Sequence, residues 1–418
     1  MCITIAGSNK NTKRDIMLPL ESIQNAKKTL TPIIEHTPLS FAPKLSRLLK
    51  ANIYLKKENL QHTGSFKIRG AFNKIASIPQ DARARGVIAS SAGNHAQGVA
   101  YAANYFSIPA VIVMPEATPL LKVLATKDFG AEVILYGDNY DESYAKACEI
   151  AKERELSFIH PFADEEVMAG QGTVALEIIE EQNLDYVLVP IGGGGLVGGI
   201  LSAYKALSPH TKIIGVTAKG APAMRTSFYS RQIHNATSVR TIADGIAVRD
   251  VHPLNFTYIC EGVDGIIEVD DEEIASAILY LLENQKLVVE GAGATGVAAL
   301  LHNKLTLMPD ERIGVVLSGG NIDVTMLNLI IQRGLIKTYR RFKFQVVLVD
   351  KPGALQSLSA IFAKLGANIV RIDYDRASTS LAYGDAYVTV VLQTRGEAHK
   401  NEITQELKAN GYDFTEIL

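Results

Sequence analysis

The chain has 418 residues, of which 47% are hydrophobic and 21% are charged, and its net charge at pH 7 is -2. This length and balance indicate two or three domains with large buried cores, and they argue against nucleic acid or an anionic membrane surface as a partner. The three cysteines are scattered, and no apolar run is long enough to span a membrane. We therefore expect a cytoplasmic protein, whose polar residues 1–16 form a flexible extension without a leader pattern.

Apolar runs alternate with helical periods through residues 17–336, which we expect to form one large domain with a smaller subdomain over about 67–165. The predicted strands are 52–55, 86–90, 110–114, 132–136, 186–191, 212–217, 265–269 and 313–317. Continuous Val/Ile runs separated by helices are typical of parallel sheets buried on both faces. The sequence therefore predicts an α/β fold with two parallel or mixed sheets.

The pattern changes after a basic connector at 337–342. Residues 343–418 read as strand 344–349, a helix, strands 368–375 and 385–392, helix 400–410 and strand 414–418. This βαββαβ order predicts a ferredoxin-like unit.

A lysine in an apolar setting is the first candidate for chemistry. Ser65 can cap a helix whose first turn holds Lys67, next to Phe66 and Ile68. A lysine at the positive end of a helix among apolar neighbours has a lowered pKa, which makes its amine a better nucleophile. The alternative is an ordinary lysine on a solvated helix face.

Three further segments follow predicted strands, at the strand ends where open α/β sheets bind ligands. The amide of Asn94 can donate to a phenolate oxygen, and the main-chain N–H groups beside it can bind a carboxylate. Four glycines, 192–195, expose N–H groups as a phosphate cradle, and Ser318 lies in the third segment. Each has a plainer interpretation: Asn94 as a helix cap, the glycines as a tight turn, and Ser318 as a turn serine. His95 is interpreted as structural.

The string K-x-E-x-x-x-x-x-G-S-F-K-x-R-G-A, from Lys56 to Ala71, resembles the cofactor-lysine segment of the threonine dehydratase family. These are pyridoxal phosphate enzymes of the tryptophan synthase β fold. The resemblance implies a cofactor site made of Phe66, Lys67, Asn94, Gly192, Gly193, Gly194, Gly195, Leu196 and Ser318. It also implies a substrate-binding segment made of Ser91, Ala92, Gly93, Asn94 and His95.

The same resemblance implies a reaction. Lys67 binds the cofactor and then removes the α-proton of the substrate, while Ser318 donates a hydrogen bond to the pyridine nitrogen. Because a serine hydroxyl cannot hold a full positive charge on that nitrogen, β-elimination is favoured over transamination. The expected products are 2-oxobutanoate from L-threonine and pyruvate from L-serine, with ammonia.

Two departures bear on the choice among relatives. Serine racemase, which shares the segment in part, carries a hydroxyl at the position of Ala92, where this chain has a methyl group. The loop 217–221 also lacks the carboxylates that hold a divalent metal in racemases, so we expect no metal site. O-acetylserine sulfhydrylases fit the motifs less well. A catalytically inactive amino-acid sensor is the alternative from a different class.

The strings D-K-P-G-A-L and A-N-I-V-R-I in the C-terminal unit resemble ACT domains. The resemblance implies binding of a branched-chain amino acid, isoleucine first, around Asp350, Pro352, Gly353 and Asn368 at an interface with another chain. We therefore expect a homo-oligomer, dimer or tetramer, at the first committed step of isoleucine biosynthesis. A catabolic role stays open, and so does a unit that serves assembly alone.

Overall fold

The computed structural model describes residues 17–417, so the predicted extension 1–16 lies outside the described residues. The chain divides into two compact units, Met1–Ile322 and Asp323–Leu418. Helix α14 (Val324–Lys337), N-terminal to the predicted connector, is grouped with the second unit. The predicted domain boundaries at 336 and 343 stay a prediction.

The first unit alternates strands and helices along most of its length. Its strands are β1 (Leu39–Phe41), β2 (Asn52–Lys56), β3 (Val87–Ser90), β4 (Ala110–Met114), β5 (Glu132–Leu135), β6 (Ser157–Phe158), β7 (Tyr186–Pro190), β8 (Lys212–Ala218), β9 (Gly265–Val269) and β10 (Arg312–Val316). Its helices are α1 (Leu20–Leu30), α2 (Pro43–Leu49), α3 (Lys67–Ser77), α4 (Gln80–Arg85), α5 (Asn94–Tyr105), α6 (Leu120–Asp128), α7 (Tyr140–Glu153), α8 (Glu165–Glu181), α9 (Gly195–Leu207), α10 (Ala223–Ser230), α11 (Pro253–Gly262), α12 (Asp271–Tyr280) and α13 (Gly291–Leu301).

Two sheets organise this unit. The larger has the order β1-β2-β10-β7-β8-β9 and is parallel except for β1, which runs antiparallel to β2. The smaller has the order β5-β4-β3-β6 and is parallel throughout. Every residue of β4 is buried, as its continuous apolar run predicts. The predicted α/β class is confirmed, while β1 and β6 were not predicted because two or three residues are too few for a periodic signal.

Several helices begin at a side-chain cap, in which an Asp or Asn directly before the helix accepts hydrogen bonds from its first free N–H groups. Asn139 and Asp164 cap α7 and α8, and Asp270 forms a reciprocal capping box with Glu273 at α12. The predicted cap by Ser65 is wrong. Helix α3 begins one residue later, at Lys67, and Ser65 instead forms an isolated antiparallel bridge with Gly319, with its buried Oγ unpaired.

Helix α8 lies between α3 and α9 at glycine contacts. A Cβ added at Gly170 of α8 would lie 2.5 Å from the main-chain oxygen of Arg69 in α3. A Cβ at Gly172 of α8 would lie 2.9 Å from the main-chain oxygen of Gly199 in α9. Since both distances are too short for a real carbon contact, only glycine permits these helices to pack so closely.

The second unit holds an antiparallel sheet. After α14 its elements are β11 (Arg341–Val349), α15 (Ala354–Lys364), β12 (Asn368–Asp375), β13 (Asp385–Gln393), α16 (Glu397–Ala409) and β14 (Phe414–Glu416). The strand order is β12-β13-β11-β14, and alternate residues of β11 and β13 are buried against the two helices. This is the βαββαβ arrangement that the sequence predicts, consistent with an ACT-like domain.

Candidate active site

Lys67 lies at the first position of α3, with its ammonium group inside the first unit. Its Nζ donates a hydrogen bond to the main-chain oxygen of Pro161 at 2.8 Å and lies 5.3 Å from the centre of the Phe66 ring. Burial lowers the pKa of Lys67 from 10.5 to about 8, although the charge of Glu290 opposes this shift. Near pH 8 about half of the Lys67 side chains are therefore neutral amines, which are nucleophilic.

The segment after β3 carries the predicted Ser91 to His95. Ser91 Oγ accepts a hydrogen bond from the Gly93 N–H at 3.2 Å, and the space beside Gly93 is open. Asn94 begins α5. His95 is buried, and its Nε2 contacts the Ile159 main-chain oxygen at 2.9 Å. This contact accords with a structural histidine.

The Asn94 amide lies in a chain of side-chain hydrogen bonds. Its Nδ2 donates to both carboxylate oxygens of Glu290, at 2.8 and 3.0 Å. Its Oδ1 accepts from Asn321 Nδ2 at 2.7 Å, and the same Asn321 nitrogen donates to the Thr63 main-chain oxygen at 2.8 Å. The amide of Asn94 is thus held from both sides.

Glu290 is a functional candidate that sequence reasoning missed. Its side chain is buried, and burial, followed by the charge of Asp244, raises its pKa to about 7, against the effects of Asn94, Lys122 and Lys67. The available signal was a single carboxylate within the otherwise uncharged apolar stretch 287–301. Such a carboxylate is rarely buried without a partner.

The four glycines join the end of β7 to the start of α9. Gly194 has a φ of +89°, a conformation that favours glycine, and α9 begins at Gly195. A Cβ at Gly193 would collide with the Phe162 ring, and one at Gly195 would lie 2.9 Å from the Phe162 main chain. The loop therefore presents main-chain N–H groups at the start of a helix, the arrangement that binds phosphate.

Ser318 follows the end of β10 and is buried. Its main-chain oxygen accepts a hydrogen bond from the N–H of Phe66 at 3.1 Å, directly before Lys67. The Ser318 segment and the Lys67 segment are therefore neighbours, as one shared site requires.

Close to Lys67 in sequence and in the fold, four charged side chains are almost completely buried: Lys56, Glu58, Arg69 and Glu177. Arg69 donates to both oxygens of Glu58 at 2.8 Å and to both oxygens of Glu177 at 2.6 and 2.9 Å. Lys56 Nζ lies 2.5 Å from Glu177. The four formal charges sum to zero. Through Arg69, which is two residues after Lys67, these ion pairs connect α3 to α8, and Lys56 connects β2 to the same Glu177 of α8.

The predicted regulatory residues are not brought together within one chain. Val349, before Asp350, pairs with Asp385 at one end of the C-terminal sheet, whereas Asn368 pairs with Gln393 at the other end. Asp350 instead contacts Tyr374 and Arg376, at the same end as the loop with Pro352 and Gly353. A small molecule cannot therefore touch Asp350 and Asn368 of the same chain, since a strand of eight residues spans about 25 Å.

Two absences concern residues 17–417 alone. No helix in this range is long and apolar enough to cross a membrane. Within it, no group of three or more His, Cys, Asp or Glu side chains is placed to hold a metal ion. The predicted lack of a divalent metal stays a prediction.

Comparison with known sequences places this geometry in context. A family model described as "pyridoxal-phosphate dependent enzyme" matches residues 30–319. An L-threonine ammonia-lyase of Thermotoga maritima is 46% identical over 398 residues, covering 95% of this chain and 99% of the relative. A catabolic L-threonine dehydratase of Staphylococcus aureus is 43% identical over 323 residues, covering 76% of this chain and 93% of the relative.

Solved structures give the same fold. The processed form of threonine deaminase isoform 2 from Solanum lycopersicum is 34% identical, with a TM-score of 0.72 over 77% of this chain and 89% of that one. Maize serine racemase is 33% identical, with a TM-score of 0.71 over 77% of this chain and 98% of that one. Fold similarity alone therefore does not separate elimination from racemisation.

Proposed function

We propose that this chain, which belongs to the family of pyridoxal-phosphate dependent enzymes, is an L-threonine ammonia-lyase. L-threonine would lose its β-hydroxyl and its amino group to give 2-oxobutanoate and ammonia, with the water lost in elimination regained on hydrolysis. The observation that carries the proposal is the amine of Lys67, whose pKa burial lowers to about 8, in a segment held beside Ser318 by the hydrogen bond from the Phe66 N–H. Near-complete coverage of a relative with that activity in its name supports it.

The residues present fit pyridoxal 5′-phosphate. A partly neutral lysine amine suits an aldehyde, main-chain N–H groups at Gly192 to Leu196 suit a phosphate, and the unpaired buried Oγ of Ser65 offers a further polar contact. When bound, the cofactor withdraws electrons from the α-carbon of an amino acid, so that the α-proton and the β-substituent can leave.

Roles for the chain's own groups follow from these positions. Lys67 would hold the cofactor and then accept the α-proton, because a pKa lowered to about 8 makes its neutral amine available as a base near neutral pH. N–H groups at 91–94 would bind the substrate carboxylate, Asn94 would donate to the ring oxygen, and the Ser318 hydroxyl would donate to the ring nitrogen. Phe66, packed against the core beside Lys67, would exclude water.

Finer features of the function belong to the same proposal. L-serine would be a second substrate, the enzyme would work in the cytoplasm, and isoleucine would inhibit it as the end product of biosynthesis. The effector would bind between the C-terminal units of two chains, because Asp350 and Asn368 lie at opposite ends of one sheet. A homo-oligomer, dimer or tetramer, is therefore part of the proposal.

A serine racemase-like activity is the second candidate, favoured by the maize structure. Ala92 argues against it, because a methyl group cannot deliver a proton to the opposite face of the α-carbon. Chiral analysis of L-serine reactions separates the two: pyruvate without D-serine supports elimination, whereas D-serine as main product would overturn our assignment.

The direct test follows 2-oxobutanoate and ammonia release from L-threonine by the purified enzyme. Lys67→Ala is expected to abolish release, whereas Lys74→Ala, on the same helix and in a partly buried pair with Asp164, is expected to retain most of it. Inhibition of the wild type by isoleucine would support biosynthetic control, and indifference to isoleucine would support the catabolic alternative. A wild type that binds the cofactor but releases no product would indicate another β-elimination or replacement substrate, whereas a purified protein without the cofactor absorption band would support the sensor.

A further inference from the structure

Asn94 is oriented by two different neighbours. Asn321 donates to its Oδ1, and Glu290 accepts from its Nδ2. Reversing the amide would place its oxygen against a carboxylate and its nitrogen against an N–H donor, so one orientation is strongly preferred. Asn94 Nδ2 carries two hydrogens, and only one is needed for Glu290.

Glu290 is itself fixed by the main chain. Its N–H donates to the Gly319 oxygen at 3.0 Å, and its own main-chain oxygen accepts from the Ala294 N–H at 3.0 Å in the first turn of α13. A Cβ added at Gly319 would lie 2.5 Å from Glu290 Oε1, so the carboxylate is packed directly against the segment with Ser318. The carboxylate has little freedom to follow Asn94 if that side chain rotates.

From this arrangement we propose that Glu290 is a positioning residue, which holds the Asn94 amide so that its second N–H points at the ring oxygen of the cofactor. The inference rests on the proposed cofactor role of Asn94. A preformed donor loses less conformational freedom on binding, so fixing the amide in advance strengthens cofactor affinity. The role depends on the reach and acceptor oxygen of the Glu290 side chain.

Three substitutions separate position from charge. Glu290→Gln keeps the length and one acceptor oxygen but removes the charge, Glu290→Asp keeps the charge but shortens the reach, and Glu290→Ala removes both. The dissociation constant of pyridoxal phosphate is measured by titrating each apoenzyme while following the cofactor absorption band. Thermal unfolding of each apoenzyme reports whether the fold is intact.

Positioning predicts a definite order. Glu290→Gln should stay within about threefold of the wild-type dissociation constant, while Glu290→Asp and Glu290→Ala should weaken binding about tenfold, as loss of one hydrogen bond does. The reverse order, with Asp close to the wild type and Gln close to Ala, would assign Glu290 a charge role and overturn the inference. If Glu290→Ala does not fold, the Gln and Asp variants still decide.

A double-mutant cycle tests whether Glu290 acts through Asn94. Asn94→Ala alone should weaken cofactor binding about tenfold, and adding Glu290→Ala should cost no more than a further twofold. Independent effects that multiply to about a hundredfold would overturn the inference. Unchanged affinity in Asn94→Ala would instead refute the cofactor role of Asn94, which distinguishes failure of the proposed site from failure of this step.

Discussion

Arg69→Met is expected to destabilise the first unit by about 3–5 kcal/mol, the usual cost of removing one partner from a buried ion pair. In the wild type, Arg69 makes four hydrogen bonds to the carboxylates of Glu58 and Glu177. After the substitution, Lys56 still pairs with Glu177, but Glu58 loses its ion pair with Arg69. Methionine fills most of the arginine volume, so the loss reports charge rather than a cavity.

The assay is urea unfolding of the apoenzyme, compared with a matched surface variant. Arg312→Met breaks the ion pair between Arg312 and Asp185, in which each side chain is 36% exposed. This substitution should lower the unfolding free energy by at most about 1 kcal/mol. Adding Glu58→Gln to Arg69→Met should restore part of the lost stability, since one uncompensated carboxylate is removed. A cost for Arg69→Met no greater than that for Arg312→Met would refute the reasoning.

Four further predictions follow from single sites. The rate at which the apoenzyme captures pyridoxal phosphate should rise with pH with a midpoint near 8, because Lys67 reacts as the neutral amine. Stopped-flow absorbance measures this rate, and a midpoint near 10.5 would contradict burial of the amine. Gly193→Ala should lower the unfolding free energy by about 1–3 kcal/mol in a urea titration, because the added carbon meets the Phe162 ring. Asp270→Ala should cost about 1 kcal/mol in the same measurement through loss of the α12 capping box, and no change would refute a stabilising cap. Burial alone would raise the pKa of Glu177, but Arg69 and Lys56 hold this pKa below 4.5. The ionised Glu177 carboxylate therefore stabilises the fold above that pH, and this stabilisation is lost as the pH falls. In Glu177→Gln the acid-induced fall in unfolding free energy should accordingly be smaller than in the wild type.

The positions of the strands and the order of the elements could be predicted from the sequence, because both depend on the local spacing of apolar residues. Continuous apolar runs such as Ala110–Met114 located the predicted strands to within about three residues, the largest difference being β11, which begins at Arg341 rather than at 344. The βαββαβ order of the second unit followed from spacing. The segments with Lys67, Asn94 and Ser318 were identified as strand-end or helix-start residues, and the structure places each at such an end.

Contacts between distant segments could not be predicted in this way. Asn94 and Glu290 are 196 residues apart, and Lys56 and Glu177 are 121 residues apart, so no local period relates them. Ser65 was predicted to be a cap on residue type alone, but pairing with Gly319 draws its main chain out of the helix. In each case a long-range partner decides the role of the residue.

The glycine contacts of α8 have a consequence for how the enzyme can change. Helix α3 begins at Lys67 and α9 begins at the glycine loop, and each meets α8 at main-chain contact through Gly170 or Gly172. The span between Lys67 and the glycine loop is therefore set by main-chain dimensions, which side-chain substitutions elsewhere in the core leave unaltered. A redesign that lengthens or shortens this span must accordingly replace these glycines and move whole helices.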